Sequence, residues 1–274
     1  MNDQPQPGDF QPGDPMLLVD ERDRQFLITV PDQPLTAPVK GERFDSPTLC
    51  ALHDGDLLVS PQRRRYLVFK PTLEEVVMNM PRAAQVIYPK DLGSLLIYGD
   101  VHPGLRVSEV GCGHGALTMT LLRALGRRGR LVTYDLRRDH LNRTRKNIAF
   151  YLGEEMLERW EPVLADPSQQ GMAQKDQDRL FTDVPEPWTM LEAAAQALRP
   201  GAVWVAYVPT VGQMSQLMEA IKAHREFCLP KCFETLQRYW HVRMPSIRPN
   251  HAMRGHTGFI ITCRRRWRRG HTPV

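Results

Sequence analysis

Short stretches in which apolar and polar positions alternate fill the first quarter of the chain, and turn residues separate them. This pattern predicts β-strands with one buried face. We predict strands at Met16–Val19, Gln25–Val30, Asp56–Val59 and Tyr66–Phe69. Pro71 begins a helical stretch after the last of these strands, and the proline- and glycine-rich residues 1–15 predict a disordered leader.

From about residue 85, runs with helical spacing alternate with short extended runs. Helices are predicted at Lys90–Asp100, Ala116–Leu125, Asp139–Leu152, Trp188–Leu198 and Val211–His224. Strands are predicted at Leu105–Val110, Arg130–Tyr134, Asp178–Asp183, Ala202–Val208, Phe233–Val242 and Thr257–Cys263. Because strands that alternate with helices build βαβ units, we expect an α/β fold with a mostly parallel sheet.

These patterns divide the chain into five segments. We predict a leader at 1–15, a β-rich domain at 16–71 and a connector helix at 72–84. The α/β domain occupies 85–267, and a basic tail follows at 268–274. With 274 residues, the chain is long enough for a small domain beside a standard α/β domain.

Charge is distributed unevenly along the chain. The formal net charge is +5, and the segment 264–274 alone carries five arginines and no acid. The stretch Arg123–Lys146 holds nine basic residues against Asp135 and Asp139. Two basic regions on an otherwise neutral chain suggest a polyanionic partner such as nucleic acid, although a solvated basic surface would give the same arithmetic.

The composition of the chain bears on membrane association, secretion, the state of the cysteines and metal binding. No stretch of 18 apolar residues is present, so we predict neither a membrane span nor a membrane partner. The polar, acidic N-terminus is unlike a secretory signal. Five scattered cysteines predict reduced thiols in the cytoplasm, and no Cys/His spacing suggests a metal site.

The first predicted strand of the α/β domain runs into a glycine-rich turn. Gly111, Gly113 and Gly115 follow Glu109 and precede a helix, so backbone N–H groups at the helix start would face a ligand. The spacing G-x-G-x-G is shorter than that of dinucleotide-binding turns, which favours S-adenosylmethionine (AdoMet) over NAD(P). Glu109 would either hold the loop or face the ammonium group of the ligand.

Carboxylates and aromatic rings are predicted at the carboxyl edge of the sheet, where ligands bind in open α/β folds. Asp135 ends the second strand, where it would accept hydrogen bonds from ribose hydroxyls. Asp183 begins the segment DVPEPW, and Tyr207 ends a later strand. Gln85 and Tyr88 lie at the start of the domain, before its first predicted helix, where they would cover the site. Such a set suits a purine that is stacked on its face and bonded at its edge.

Five segments occur in the order typical of tRNA 1-methyladenosine methyltransferases. They are QVIYPKD (85–91), GCGHG (111–115), DVPEPW (183–188), YVPT (207–210) and GHTGF (255–259). Over about residues 16–267 the sequence resembles the bacterial and archaeal homotetrameric form, which modifies the T-loop adenosine at tRNA position 58. The resemblance implies a class I AdoMet-dependent methyltransferase fold, which is Rossmann-like with a seven-stranded, mostly parallel sheet and a small N-terminal β-domain.

The resemblance also implies roles for individual residues. The residues that would contact AdoMet are Glu109, Gly111, Gly113, His114, Gly115, Ala116, Leu117, Asp135, His140, Asp166 and Asp183. Asp183 would lie between the cofactor and the target base, while Tyr88, Tyr207 and Gln85 would align that base. Asp166 is assigned from a segment that aligns poorly. His114 stands where a small residue is commoner, and Asp135 where glutamate is usual.

Methyl transfer to adenine N1 needs no metal and no covalent enzyme intermediate, because N1 carries an in-plane lone pair. A carboxylate that accepts a hydrogen bond from the exocyclic amine would stabilise the charge that develops on the purine. We assign this role to Asp183. Two alternatives stay open: another AdoMet-dependent methyltransferase, for example one that repairs isoaspartyl peptides, and a catalytically silent tRNA-binding subunit.

Overall fold

The computed structural model describes residues 8–80 and 86–267, which form two compact units. Residues 8–80 with 149–153 make the first unit, and residues 86–148 with 154–267 make the second. No helix within the described ranges is long and apolar enough to cross a membrane. The predictions at Gln85, at residues 1–7 and for the tail at 268–274 lie outside the described residues.

The first unit is a small antiparallel β structure, as expected. Its elements are β1 (Pro15–Asp20), β2 (Gln25–Thr29), β3 (Thr36–Val39), β4 (Glu42–Asp45), α1 (Ser46–Cys50), β5 (Leu57–Val59), β6 (Arg65–Phe69) and α2 (Leu73–Asn79). Four of the strands pair antiparallel in the order β2-β1-β6-β5. Tyr66 is fully buried, and the edges of the Phe26 and Phe44 rings pack against it.

The expected leader is wrong for the residues that the structure describes before β1. Phe10 is only 2% exposed and belongs to the core of the first unit. The backbone N–H of Asp9 donates to the carbonyl of Leu52, and that of Gly13 donates to the carbonyl of Val30. One buried aromatic ring with backbone hydrogen bonds orders this segment despite its prolines, whose number alone suggested disorder.

The second unit begins with α3 (Pro89–Tyr98), β7 (Arg106–Val110), α4 (Ala116–Leu125), β8 (Arg130–Asp135) and α5 (Arg138–Leu152). A 3-10 turn (Glu154–Arg159), β9 (Trp160–Leu164), α6 (Pro167–Gln170), β10 (Gln177–Thr182) and a second 3-10 turn (Pro187–Met190) follow. The remaining elements are α7 (Leu191–Ala197), β11 (Leu198–Val208), α8 (Val211–Ala223), β12 (Phe227–Phe233), β13 (Trp240–Arg243), β14 (Ser246–Pro249) and β15 (Phe259–Arg265).

Seven strands of the second unit form one sheet in the order β12-β15-β11-β10-β7-β8-β9. Within this sheet β15 alone runs opposite to the other six strands, so the predicted fold class is confirmed. Strands β7 and β8 are buried beyond their first residues, as expected for parallel strands covered on both faces. The order reverses between β7 and β10, which places a crevice at their carboxyl ends.

Two elements near this sheet differ from the prediction. The strand Trp160–Leu164 is not among the predicted elements, because Pro162 and the charged residues Arg159 and Glu161 obscure its apolar pattern. The strand expected at Phe233–Val242 is wrong. The sheet strand is Phe227–Phe233, and Trp240–Arg243 belongs to a separate hairpin with Ser246–Pro249. Side chains of the hairpin are exposed, so it lacks the burial that fixes a sheet strand.

Candidate active site

The glycine-rich turn joins β7 to α4 at the centre of the sheet. Gly111 has φ of +87°, and a Cβ there would lie 2.3 Å from the carbonyl oxygen of Asp183. Only glycine therefore lets this turn pack against the segment that follows β10. Gly113 has φ of +53°, but a Cβ there would meet no atom of the described residues within 4 Å. The turn thus presents bare backbone to open space, as a loop that cradles a ligand must.

A cleft of about 640 Å³ lies beside this turn, at the carboxyl ends of the strands. Six of the predicted site residues line it: Gly111, Gly113, Asp135, His140, Asp166 and Asp183. A smaller pocket on the inner side of the turn is lined by Val86, Ile87, Gly111, Cys112, Gly113, His114, Ala116, Leu117 and Asp183. Gly115 caps the start of α4 between these two groups. The sheet therefore gathers most of the predicted cofactor residues at one edge.

Asp135 ends β8 and holds the turn from the side of the cleft. Its carboxylate accepts hydrogen bonds from the backbone N–H of Cys112 at 3.0 Å and from that of Arg137 at 2.9 Å. Nδ1 of His140 lies 3.2 Å from Oδ2 of the same carboxylate. The thiol of Cys112 also lies 3.3 Å from Oδ2, so Oδ2 is fully engaged. A carboxylate oxygen has two acceptor positions, and Oδ1 accepts only from Arg137 among the described residues, so it keeps a position for a ligand.

Glu109 lies beneath the turn and is completely buried. Its Oε2 accepts hydrogen bonds from the hydroxyls of Thr118 and Thr133, each at 2.8 Å. Among the described residues no partner reaches Oε1. Burial raises the pKa of Glu109 to about 8, and the nearby Asp183 and Asp135 add to the shift. A cationic group near the turn would stabilise the ionised form.

Asp183 follows β10 directly and opens onto both pockets. The side chain is accessible from the cleft, yet the protein around it desolvates the carboxylate. This desolvation, with the charge of Asp135, raises the pKa of Asp183 to about 7. Its backbone N–H donates to the carbonyl of Val110 at 2.9 Å, which fixes its place beside the turn. Within the described ranges no cation pairs with this carboxylate, which is the state expected of an acid reserved for a ligand.

His114 and Asp166 occupy supporting positions. Nη1 of Arg143 donates to Nε2 of His114 at 2.7 Å, and burial together with Arg143 lowers the pKa of this histidine. His114 is therefore neutral, and the larger side chain is accommodated against α5. Asp166 caps α6, where its carboxylate accepts from the backbone N–H of Ser168 at 2.9 Å. It lines the cleft despite the poor alignment of its segment.

The two predicted tyrosines are engaged by residues that sequence reasoning did not single out. The guanidinium of Arg254 lies 4.4 Å from the centre of the Tyr88 ring and donates to its hydroxyl. The hydroxyl of Tyr207 donates to Asp91 at 3.3 Å, and Tyr207 lines neither pocket. Asp91 belongs to QVIYPKD, so the motif contained the signal, but its partners are distant in sequence.

The segment GHTGF contacts the segment YVPT through its histidine. Nδ1 of His256 lies 2.8 Å from Oε2 of Glu234, and Nε2 lies 2.8 Å from the carbonyl of Pro209. The hydrogen bonds to Glu234 and to Pro209 raise the pKa of His256. Its protonated form donates from both nitrogens and thereby ties YVPT to GHTGF.

The seven-stranded sheet, the glycine-rich turn after β7 and the aspartate at the tip of β8 define a class I AdoMet-dependent methyltransferase. A family model described as tRNA methyltransferase complex GCD14 subunit matches residues 65–257. The chain belongs to this family. Within the described ranges no cluster of side chains has the composition of a metal site.

Relatives match nearly the whole chain. A tRNA (adenine(58)-N(1))-methyltransferase TrmI of Thermus thermophilus is 34% identical over 252 residues, which cover 92% of this chain and 96% of the relative. A tRNA (adenine(57)-N(1)/adenine(58)-N(1))-methyltransferase TrmI of Methanocaldococcus jannaschii is 28% identical, with 90% and 94% covered. Both similarities extend well beyond the glycine-rich turn that many methyltransferases share.

Solved structures agree on the fold. A SAM-dependent O-methyltransferase from Thermotoga maritima superposes with a TM-score of 0.88 at 27% identity, covering 96% of each chain. The tRNA (m1A58) methyltransferase TrmI from Aquifex aeolicus gives a TM-score of 0.78 at 24% identity, covering 93% of this chain and 98% of that one. The second likeness is evidence for the fold alone.

Proposed function

We propose that the protein transfers a methyl group from AdoMet to N1 of the T-loop adenosine at position 58 of tRNA. The observation that carries the proposal is Asp183, a carboxylate without a cation partner among the described residues, which opens onto the cleft beside the glycine-rich turn. The family match and the TrmI relatives support the choice of tRNA and of adenine N1.

The residues around the cleft fit AdoMet. Asp135 would accept hydrogen bonds from the ribose hydroxyls, with His140 beside it, and the backbone from Gly111 to Leu117 would surround the amino-acid part. The ammonium group would favour the ionised form of Glu109, whose pKa of about 8 keeps it protonated at neutral pH when no cation is near. Asp166 would lie near the adenine. The open space at Gly113 agrees with this arrangement, because a side chain there would occupy the cleft. When bound, AdoMet supplies an electrophilic methyl group on a positively charged sulfur.

Asp183 would act on the target base. Its carboxylate accepts a hydrogen bond from the exocyclic N6–H and stabilises positive charge as that charge develops on the purine. Tyr88 offers a ring face on which the extruded base would stack, and Tyr207 and Gln85 would limit its movement. Alignment of this kind supplies much of the rate when no proton must be removed before the transfer.

The tRNA would bind through basic side chains on both units. Arg63, Arg64 and Arg65 are exposed on the first unit, which we propose as the RNA-binding domain 16–71. On the second unit, the proposed methyltransferase domain 85–267, the exposed basic residues include Arg123, Arg127, Arg128, Arg130, Arg137, Arg138, Arg145 and Lys146. Contacts to phosphates would offset the cost of extracting the base and make binding sensitive to salt.

The deciding experiment is incubation with unmodified tRNA and labelled AdoMet, followed by nucleoside mapping of the product. The expected product is 1-methyladenosine at position 58. A 2′-O-methylated nucleoside, or label transferred only to an isoaspartyl peptide, would replace the proposal with another methyltransferase activity. Calorimetry that detects tRNA binding without AdoMet binding would instead support a catalytically silent subunit.

A homotetramer in the cytoplasm completes the proposal. The resemblance suggests the assembly, and the hairpin of β13 and β14 offers a surface for it. Trp240, Val242, Met244 and Ile247 each expose more than half of their surface there, which is unusual for a surface that faces only water. Light scattering should give four copies, and Val242→Glu with Met244→Glu should lower that number. A monomeric wild-type protein would contradict this part of the proposal.

A further inference from the structure

A buried carboxylate outside the cleft organises the edge of the candidate active site. Asp91 lies in the first turn of α3 and has no exposed surface. Its Oδ1 accepts hydrogen bonds from Nζ of Lys90 at 2.8 Å and from the hydroxyl of Thr235. Its Oδ2 accepts from the hydroxyl of Thr257 at 2.6 Å and from that of Tyr207 at 3.3 Å. These five residues are called the Asp91 cluster.

Lys90 bonds to three other members of the Asp91 cluster. Its ammonium group donates to Asp91, to the hydroxyl of Thr257 at 2.5 Å and to the carbonyl of Thr235 at 2.8 Å. The Lys90 side chain is only 8% exposed. A buried ion pair loses its hydration and gives little net stability compared with apolar packing, so stability alone does not account for it. What it provides is a fixed geometry, because both charges are bonded in several directions.

The Asp91 cluster joins segments that are far apart in the chain. Lys90 and Asp91 come from QVIYPKD, Tyr207 from the end of β11, and Thr257 from GHTGF, while Thr235 follows β12. A single carboxylate, itself part of one motif, thus bonds to two others and links three of the five motifs that the sequence singled out. A merely structural contact would not need to lie where these motifs meet.

Tyr207 is the member of the cluster that lies nearest to the proposed chemistry. Ala206 pairs with Thr182 across β11 and β10, so Tyr207 is level with Asp183 at the carboxyl edge. Burial, with the charges of Asp91 and Asp183, raises the pKa of Tyr207, so its hydroxyl is protonated and donates to Asp91. A Cβ on Gly258 would lie 2.4 Å from Cζ of the ring. The ring is therefore held by backbone on one side and by Asp91 at its hydroxyl.

We propose that Asp91, held in place by Lys90, is a positioning residue that fixes the Tyr207 ring as a rigid wall level with Asp183. The inference rests on the proposed function, because the wall limits where the target purine can move. Asp91 itself touches neither the cofactor cleft nor the base. A wall that moves by about 1 Å would misalign N1 and cost up to about 10²-fold in rate.

The test compares three variants of the full-length protein. Asp91→Asn weakens the hold on Tyr207, Tyr207→Phe removes the hydroxyl, and the double variant does both. We expect each single variant to lower kcat about 10- to 100-fold, with the Kd of AdoMet changed less than threefold. The double variant should be no slower than the worse single variant, because both changes remove the same contact.

A matched control separates positioning from loss of stability. Asp178→Asn makes the same change at a half-buried aspartate that is paired with Arg199 at the opposite edge of the sheet. It should lower Tm without lowering kcat. Multiplicative losses in the double variant, or a normal kcat in Asp91→Asn, would overturn the proposal.

A second measurement needs no substrate. With 3-fluorotyrosine incorporated, the 19F resonance assigned through Tyr207→Phe should be a single sharp line in the wild type. It should broaden or shift in Asp91→Asn, and an unchanged line would overturn the proposal. If nucleoside mapping finds no 1-methyladenosine from wild-type protein, the proposed function fails, whereas this resonance still reports whether Asp91 holds Tyr207.

Discussion

Asp178 lies near the start of β10 and Asp183 just past its end, and the electrostatic surroundings of the two carboxylates are opposite. Asp178 accepts from the backbone N–H of Arg106 at 2.7 Å and from Nε of Arg199 at 2.6 Å. Burial acts to raise its pKa, but these hydrogen bonds and the arginine charges outweigh burial and lower it. Asp183, just past the end of the strand, is desolvated and has no cation partner among residues 8–80 and 86–267, and its pKa is raised to about 7.

The contrast follows the two edges of the sheet. At the amino edge of the strands, Arg106 and Arg199 donate hydrogen bonds to the Asp178 carboxylate. Arg179 lies at the same edge and donates to the carbonyls of Gly99 and Asp100. At the carboxyl edge, Asp183, Glu109 and Asp135 lie near one another, and repulsion among them contributes to the raised pKa values of the first two. An arrangement that costs folding stability is expected where a cationic ligand binds.

The largest effect should come from removing each aspartate in turn. Asp183→Ala should lower kcat about 10²- to 10³-fold, because it removes a group that stabilises the transition state. The Kd of AdoMet should change by less than tenfold. Asp178→Ala should leave kcat unchanged and lower stability by about 1–3 kcal/mol, because it leaves arginine donors unpaired. Steady-state kinetics and urea unfolding of both variants provide the measurement.

Stability should move in the opposite direction at the two positions. A carboxyl whose folded pKa is raised contributes stability below the pKa of the unfolded chain and loses it as pH rises through about 7. Above pH 7, Asp183→Ala should therefore be at least as stable as the wild type. If Asp183→Ala has a lower free energy of unfolding than the wild type but a normal kcat, Asp183 is a structural residue like Asp178 and the contrast between the two edges is wrong.

The second prediction uses two glycines at the two ends of β7. Gly104 and Gly113 both have positive φ, and a Cβ at either would meet no atom within 4 Å in the part of the chain that the structure describes. Alanine therefore costs about 1–2 kcal/mol of backbone strain at each. Only Gly113→Ala should raise the Kd of AdoMet, by tenfold or more, because its methyl group would point into the space for the ligand. Equal affinities in the two variants, measured by calorimetry, would show that the turn does not cradle AdoMet.

The site residues at the carboxyl edge of the sheet could be predicted from the sequence, whereas the contacts of the Asp91 cluster could not. Glycines with positive φ and an acid at a strand end have local signatures, so Gly111, Gly113 and Asp135 could be predicted. The partners of Asp91 could not, since Tyr207, Thr235 and Thr257 approach it only through the fold. The strand Phe227–Phe233 was missed for a similar reason, because pairing with β15 determines its bounds.

The third prediction concerns pH. Because the carboxylate form of Asp183 accepts the N6–H bond, kcat/KM should fall about tenfold per pH unit below a pKa of about 7 and level off above it. The positive charge of bound AdoMet favours the carboxylate, so the midpoint for kcat should lie at lower pH than that for kcat/KM. Asp178 has a lowered pKa and should contribute nothing to either profile. Midpoints that coincide would mean that the cofactor charge does not reach Asp183.

The smallest effect concerns the arginines near the end of the chain. The basic segment from Arg264 onward begins inside the seven-stranded sheet. Arg264 and Arg265 belong to β15, and Arg265 pairs with Glu226 at 2.7 Å. Deletion of residues 268–274 removes two arginines that lie beyond this strand.

That deletion should weaken tRNA binding a few-fold and reduce the slope of log K against log salt by about 1–2, because up to two phosphate contacts disappear. Arg127→Ala with Arg128→Ala removes the same charge from the exposed stretch before β8 and is the matched comparison. If the double substitution reduces the slope and the deletion does not, the tail takes no part in binding. Filter-binding titrations between 50 and 200 mM salt would separate the two, since each lost contact changes the slope by roughly 0.7–0.9.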